Sequence, residues 1–256
     1  GQPATVILSG NEEVNDGFRS GYRLFGGFWL DCCHSWGIGA DYFDAGNDSY
    51  NFTSPEGDYI TGRPFFNTET GLDDLELVSV PGELQGTAQV KSDDNLQGAG
   101  ITLNHCLWRC CDPCTGNGSG VSLLSGYRYY KYDSDLSVTE RLEVLQGTQT
   151  QLTVGTTFFV QDRFRTENEF NGGEIGLQGY KKRCWWWVDG LAKLGIGNNT
   201  RTVRINGTTI VSVPDDDTAV YRGGLLTSEL TNIGRYSSSD FALIPEFRLG
   251  VGACLT

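Results

Sequence analysis

No run of apolar residues in this chain approaches the roughly 18 that a membrane-spanning helix requires, so insertion through helices is excluded. Methionine is absent. The chain is therefore expected to be a processed or truncated one, and a missing leader says nothing about its compartment. Basic charge is short: 19 Lys and Arg stand against 32 Asp and Glu, a formal net charge of −13. Nucleic acid wants a basic face, so it is excluded as a partner. Histidine is nearly absent, with 2 copies, His34 and His105. No plausible serine nucleophile shares a strand face with either, and neither a Gly-rich phosphate loop nor a His-Glu-x-x-His motif occurs. The chain is expected to be no enzyme and to carry no cofactor.

What is abundant is glycine, with 35 residues, about twice its usual share. Charged residues at 20% and hydrophobic ones at 38% rule out disorder. Nothing marks a boundary or a repeat, so residues 1–256 are expected to form a single domain. Its clearest stretch runs from Gly172 to Asn198. The second arm places Trp186, Val188, Gly190, Ala192, Leu194 and Ile196 at even positions, with Asp189 and Lys193 among the odd ones. A period of two is a strand with one greasy face and one wetter face. The first arm sets Ile175, Leu177 and Gly179 against Glu174, Gln178 and Lys182. Only a tight turn near Arg183 and Cys184 parts the arms, which makes an antiparallel hairpin.

The same alternation recurs along the chain. Tyr22, Leu24, Gly26, Phe28 and Leu30 oppose Arg23, Phe25 and Trp29; Trp36, Ile38, Ala40 and Tyr42 oppose Gly37, Gly39 and Asp41. Further on, Ala99, Ile101, Leu103 and Leu107 oppose Thr102, Asn104 and Cys106, and Val121, Leu123, Tyr127 and Tyr129 oppose Ser122, Gly126, Arg128 and Tyr130. The last strand sets Phe241, Leu243, Pro245, Phe247, Leu249 and Val251 against Glu246, Arg248 and Gly250, with a bulge expected at Pro245. Short turns (31–35, 109–118, 182–184) alternate with long polar connections (45–94, 133–171, 200–240). Within these, further strand is conceivable near 59–66, 136–145 and 158–164.

That asymmetry, with core strands of about 9–13 residues, fits a tilted membrane strand better than a soluble one. All six tryptophans, Trp29, Trp36, Trp108, Trp185, Trp186 and Trp187, fall at the short-turn ends. Tyrosines and Phe241 collect at the other end, so two aromatic girdles bracket an apolar zone. The expected fold is all-β: an antiparallel transmembrane β-barrel with short periplasmic turns and long outer loops. About seven core strands are legible here, and a full barrel of about 8–12 strands is expected, so terminal strands are expected to lie outside this stretch.

Several segments also resemble a known family. Residues 17–31 (GFRSGYRLFGGFWLD) followed by 36–43 (WGIGADYF) are similar to the planctomycete-type outer-membrane β-barrel porin family, β-barrel porin seven. So are 124–129 (LSGYRY), 166–177 (TENEFNGGEIGL), 202–207 (TVRING), and 223–226 (GGLL) with 231–234 (TNIG). The resemblance covers nearly the whole chain in order. It implies a β-barrel in a bacterial outer membrane, with further strands before and after this region, and assigns no solute.

Two groups of candidate site residues follow. Arg23, Asp41, Arg128, Glu174, Asp189, Lys193, Glu246 and Arg248 occupy the wetter face and are the expected pore-lining charges. They would set up a transverse field, or pair with one another and fill a narrow lumen. Cys32, Cys33, Cys106, Cys110, Cys111, Cys114, Cys184 and Cys254 lie in or beside short turns or at the matching end of the last strand. Disulfides stapling neighbouring turns are expected in an oxidising periplasm. A soft-metal site on Cys32-Cys33-His34, His105-Cys106 and Cys111/Cys114 is the alternative, and no metal is assigned. The function these features support is a passive porin-like channel partnered by outer-membrane lipid, with a homo-oligomer or an envelope protein as further candidates. The rival is a non-catalytic structural or adhesive surface protein.

Overall fold

The structure, a computed structural model, describes residues 13–15, 17–55, 59–68, 70–112, 116–146 and 152–253. Its strands are β1 (Tyr22–Trp29), β2 (Trp36–Thr53), β3 (Thr61–Asn67), β4 (Leu72–Ser79), β5 (Leu84–Asp112), β6 (Asn117–Val144), β7 (Thr157–Arg183), β8 (Trp186–Ser212), β9 (Ala219–Arg222) and β10 (Gly234–Ala253). One antiparallel sheet runs β1-β2-β5-β6-β7-β8-β10, with β9 added on β8, while β3 and β4 form their own hairpin. Two of the expected short turns are in place: Leu30 N–H donates to Trp36 O between β1 and β2, and β7 passes to β8 within two residues; within the third, 109–118, residues 113–115 lie outside the described residues.

The period of two becomes two chemically opposite faces. Gly26, Ala40, Ile101, Tyr127, Gly173, Ile196 and Leu243 stand opposite one another in a single row across the sheet. On that face of β10, Leu243, Phe247, Leu249 and Val251 are 54% to 80% exposed. In water each such side chain forgoes about 1.5–3 kcal/mol of burial; against hydrocarbon it forgoes nothing. Phe241 to Val251 spans ten steps, which at about 3.4 Å each and a tilt near 40° gives roughly 26 Å, the height of a barrel's apolar band. The opposite face carries charge and is buried, Arg128 being 1% exposed. The sheet curls around that face, because Arg23 on one edge strand meets Glu246 on the other at 3.6 Å. β1 and β10 do not pair with each other among the described residues.

Beyond the girdle the polarity of β6 and β7 inverts with no slip in the register between them. Up to Tyr129 the outward positions of β6 carry Val121, Leu123 and Tyr127, but from there the apolar set switches to the inward positions Leu136, Val138, Leu142 and Val144. Asp135, Ser137, Arg141 and Glu143 then face out. β7 does the same, with Ile175 and Leu177 outward and Phe158, Phe164 and Phe170 inward. The same strand thus obeys lipid at one end and water at the other. In the watery half Val78, Ala88 and Leu142 form a small core with Leu84 and Phe158 around the β3–β4 hairpin.

This inversion corrects the sequence-based expectation of long polar loops. Most of 45–94, 133–171 and 200–240 is strand: β5, β6, β7 and β8 run 27 to 29 residues, far more than the 9–13 expected. The segments near 59–66, 136–145 and 158–164 are strand as conceived. A second correction concerns β5, where a register shift between Cys106 and Trp108 turns Trp108 opposite Val121 on the apolar face. At Pro245 the expected bulge is absent; the residue pairs in step with Leu194.

Candidate functional site

The wetter faces of seven strands, β1, β2, β5, β6, β7, β8 and β10, converge at one level. Arg128 on β6 has a glycine opposite it on each neighbouring strand, Gly100 on β5 and Gly172 on β7. A Cβ at position 100 would stand 2.6 Å from the Arg128 guanidinium carbon. The missing side chains let the arginine lie across the sheet rather than stand up from it. From there Arg128 Nη1 donates to Asp41 Oδ2 at 2.8 Å and Nε to Glu174 Oε2 at 3.0 Å. Nη2 lies 4.0 Å from Glu246.

The rest of the layer closes on these carboxylates. Glu174 Oε1 accepts from Thr102 Oγ1 at 2.7 Å and from Lys193 Nζ at 3.0 Å. Arg23 Nη2 reaches Asp41 at 3.0 Å and Glu246 at 3.6 Å. Six of the eight charges expected to line a pore therefore form one network. Asp189 and Arg248 pair separately at 3.4 Å, nearer the turns and more exposed. Above the network Tyr130 lies 5.9 Å from Phe43 and 6.1 Å from Phe170, ring centre to ring centre. The Arg128 guanidinium sits 5.7 Å from the centre of the Tyr130 ring. Large and small side chains alternate across the wall, which is how a small barrel fills its interior.

A second polar layer, not foreseen from the sequence, lies further out on the same face. Arg63 on β3 donates to Glu140 Oε1 at 2.6 Å and approaches Asp162 Oδ2 at 3.7 Å. Asp162 accepts from Thr227 Oγ1 at 2.7 Å and from the N–H groups of Leu226 and Leu225 at 3.1 and 3.2 Å. It thereby ties the β3–β4 hairpin and the 223–228 loop into the mouth of the sheet. Glu140 is 0% exposed, and its Oε2 has no hydrogen-bond partner among the described residues. Both carboxylates share the inward phase of Glu174, a signal readable from parity once the strands are known to run so far.

Burial pushes the Glu140 carboxyl up, against the pull of Arg63; Glu76 is pushed the same way by burial and then by Glu140. A carboxyl raised in the folded state holds a proton that the unfolded chain has released. Stability should therefore fall as pH rises from the ordinary glutamate value of about 4.3 through the folded one. We expect amide protection factors in β3 to decline over that window, and the decline to flatten in Glu140→Gln. An unchanged pH dependence in the variant would remove Glu140 from this role.

The rim of short turns departs from expectation. Cys32, Cys33, Cys106, Cys110 and Cys111 are free thiols, so the expected staples are not formed among them. Cys184 Sγ lies 3.7 Å from Asn117 Oδ1, and Cys114 and Cys254 lie outside the described residues. Aromatic stacking organises the rim instead: Trp36 on His105 at 4.0 Å, Trp29 on His34 at 5.3 Å, and Arg109 over Trp29. Among the described residues no His, Cys, Asp and Glu group is arranged to hold a metal. Trp36, Trp108 and Trp186 share the apolar face, and Trp185 sits in the β7–β8 turn. Trp29 and Trp187 fall on the charged face by register, a correction to their expected place in the interface girdle.

A model of the protein family described as Putative beta barrel porin-7 matches residues 1–256. A search of curated proteins found no match.

Proposed function

We propose, from the premise that this chain belongs to the beta barrel porin-7 family, that it is a passive diffusion channel of the bacterial outer membrane with its constriction at the Arg128 network. The observation that carries this reading is the inverted distribution of polarity: apolar side chains exposed on the convex face, and Arg128, Glu174 and Lys193 buried with their charge partners on the concave one. Such a wall fits lipid outside and a polar path inside. Three cations, Arg23, Arg128 and Lys193, meet three anions, Asp41, Glu174 and Glu246. With the charges balanced, weak selectivity is expected, and catalysis has no part in the reading.

Purified protein in a planar bilayer should give small stepwise conductance, with a reversal potential near zero in a salt gradient. A second reading, a plugged barrel with a structural role in the envelope, is favoured by the burial of Arg128 and by the hairpin and loop bonded to Glu140 and Asp162 further out on the same face. Electrical silence from well-inserted protein would select it.

A further inference from the structure

Two residues of one sign directly opposite each other across strands repel, and this sheet stacks three. Arg165 on β7 faces Arg204 on β8, which faces Arg235 on β10, in one row on the outward side. The same row continues through Asp135 and Asp93 on the other flank. Arg165 has only Asp133 within ion-pair reach, at 3.8 Å, and neither Arg204 nor Arg235 has an ion-pair partner among the described residues. Glu167, one row below, feels Arg204 and Arg165 but is held by Lys131 at 2.9 Å. Beside the row a cleft of about 410 Å³ is lined in part by Asn95, Asp133, Asp135, Arg163 and Arg165.

The row stands six residues beyond Tyr129 and Phe241, roughly 15 Å above the apolar band at the rise and tilt of barrel strands. The headgroup layer of an ordinary phospholipid is only about 5–8 Å deep. A ligand that is held by the hydrocarbon and yet brings anions to this height needs a tall headgroup. We propose that Arg165, Arg204 and Arg235 bind the phosphates of a phosphorylated glycolipid in the outer leaflet. Bridging phosphate would convert a repulsive row into charge-assisted hydrogen bonds, which arginine makes in bidentate form. This rests on the membrane-spanning reading above.

The test is native mass spectrometry of the whole chain in nanodiscs of phosphatidylcholine doped with a lipopolysaccharide carrying phosphorylated core sugars. The same lipid after dephosphorylation, phosphatidylglycerol, and free inorganic phosphate serve as the other arms. The phosphorylated glycolipid should be retained on the order of tenfold better than its dephosphorylated form, and R204Q/R235Q should lose that preference. The variant relieves repulsion, so its thermal midpoint without glycolipid should equal or exceed that of the parent. Equal retention of both forms, retention unaffected by the substitutions, or a preference for phosphatidylglycerol overturns the proposal. Capture of inorganic phosphate alone, an adventitious ion only, overturns it too. Protein that enters no bilayer at all overturns the membrane reading and this proposal with it, whereas insertion without preference overturns this proposal alone.

Discussion

Arg128→Met should destabilise the protein by about 3–5 kcal/mol, read as the shift of the urea midpoint in detergent micelles. The size follows from what is left behind. Arg128 is 1% exposed and touches Asp41, Glu174 and Glu246. Its removal turns a layer of three cations and three anions into one of two and three, inside a site that water hardly reaches. Methionine fills much of the volume, so the loss is electrostatic rather than a cavity effect. Asp41→Asn in the same chain should recover most of it. In that double variant Arg23 keeps Glu246 at 3.6 Å and Lys193 keeps Glu174 at 3.0 Å, so every remaining charge has a partner. Additive losses in the two variants would mean that the layer is not an electrostatic unit. A constriction predicts one thing more: the double variant should conduct better than the parent, since the Arg128–Asp41 ion pair no longer crosses the path.

How far the sequence disclosed this can be judged at Tyr129 and Tyr130. Below them the alternation of Val121, Leu123 and Tyr127 against Ser122, Gly126 and Arg128 is legible, because lipid demands apolar residues on one face and the interior tolerates charge on the other. From there Arg23, Asp41, Arg128, Glu174, Lys193 and Glu246 could be assigned to one face without coordinates. That they meet at one level could not, since the level depends on register between strands far apart in sequence. Above the tyrosines the rule reverses, and a search for outward apolar residues reads 133–171 as a long polar connection in which strand is only conceivable, near 136–145 and 158–164. Leu136, Val138, Leu142 and Val144 still alternate there, in the opposite phase. The Glu140 and Asp162 layer was hidden for the same reason. The cysteines show another limit: Cys32, Cys33, Cys106, Cys110 and Cys111 do lie in or beside the turns, but nearness in topology does not by itself bring two sulfurs into the narrow geometry of a disulfide.

The outer layer gives the second large effect. Asp162→Ala should release the 223–228 loop and loosen the β3–β4 hairpin, at a local cost of roughly 3–5 kcal/mol. Asp162 is 0% exposed and accepts three hydrogen bonds, from Thr227 Oγ1 and the N–H groups of Leu225 and Leu226, while Arg63 stands 3.7 Å away. Alanine leaves two part-buried N–H donors and a buried hydroxyl without this acceptor, and leaves Arg63 to Glu140 alone. Hydrogen exchange should rise by two to three orders of magnitude at 223–228, and less at Thr61–Asn67, where the Glu140 bond persists. β1 and the lipid-facing part of β10 should not change, because no bond of Asp162 reaches them. Uniform acceleration across the whole sheet would show instead that the two layers unfold as one. If the loop and hairpin block the path, Asp162→Ala should also raise conductance, and unchanged conductance would place the barrier in the Arg128 layer.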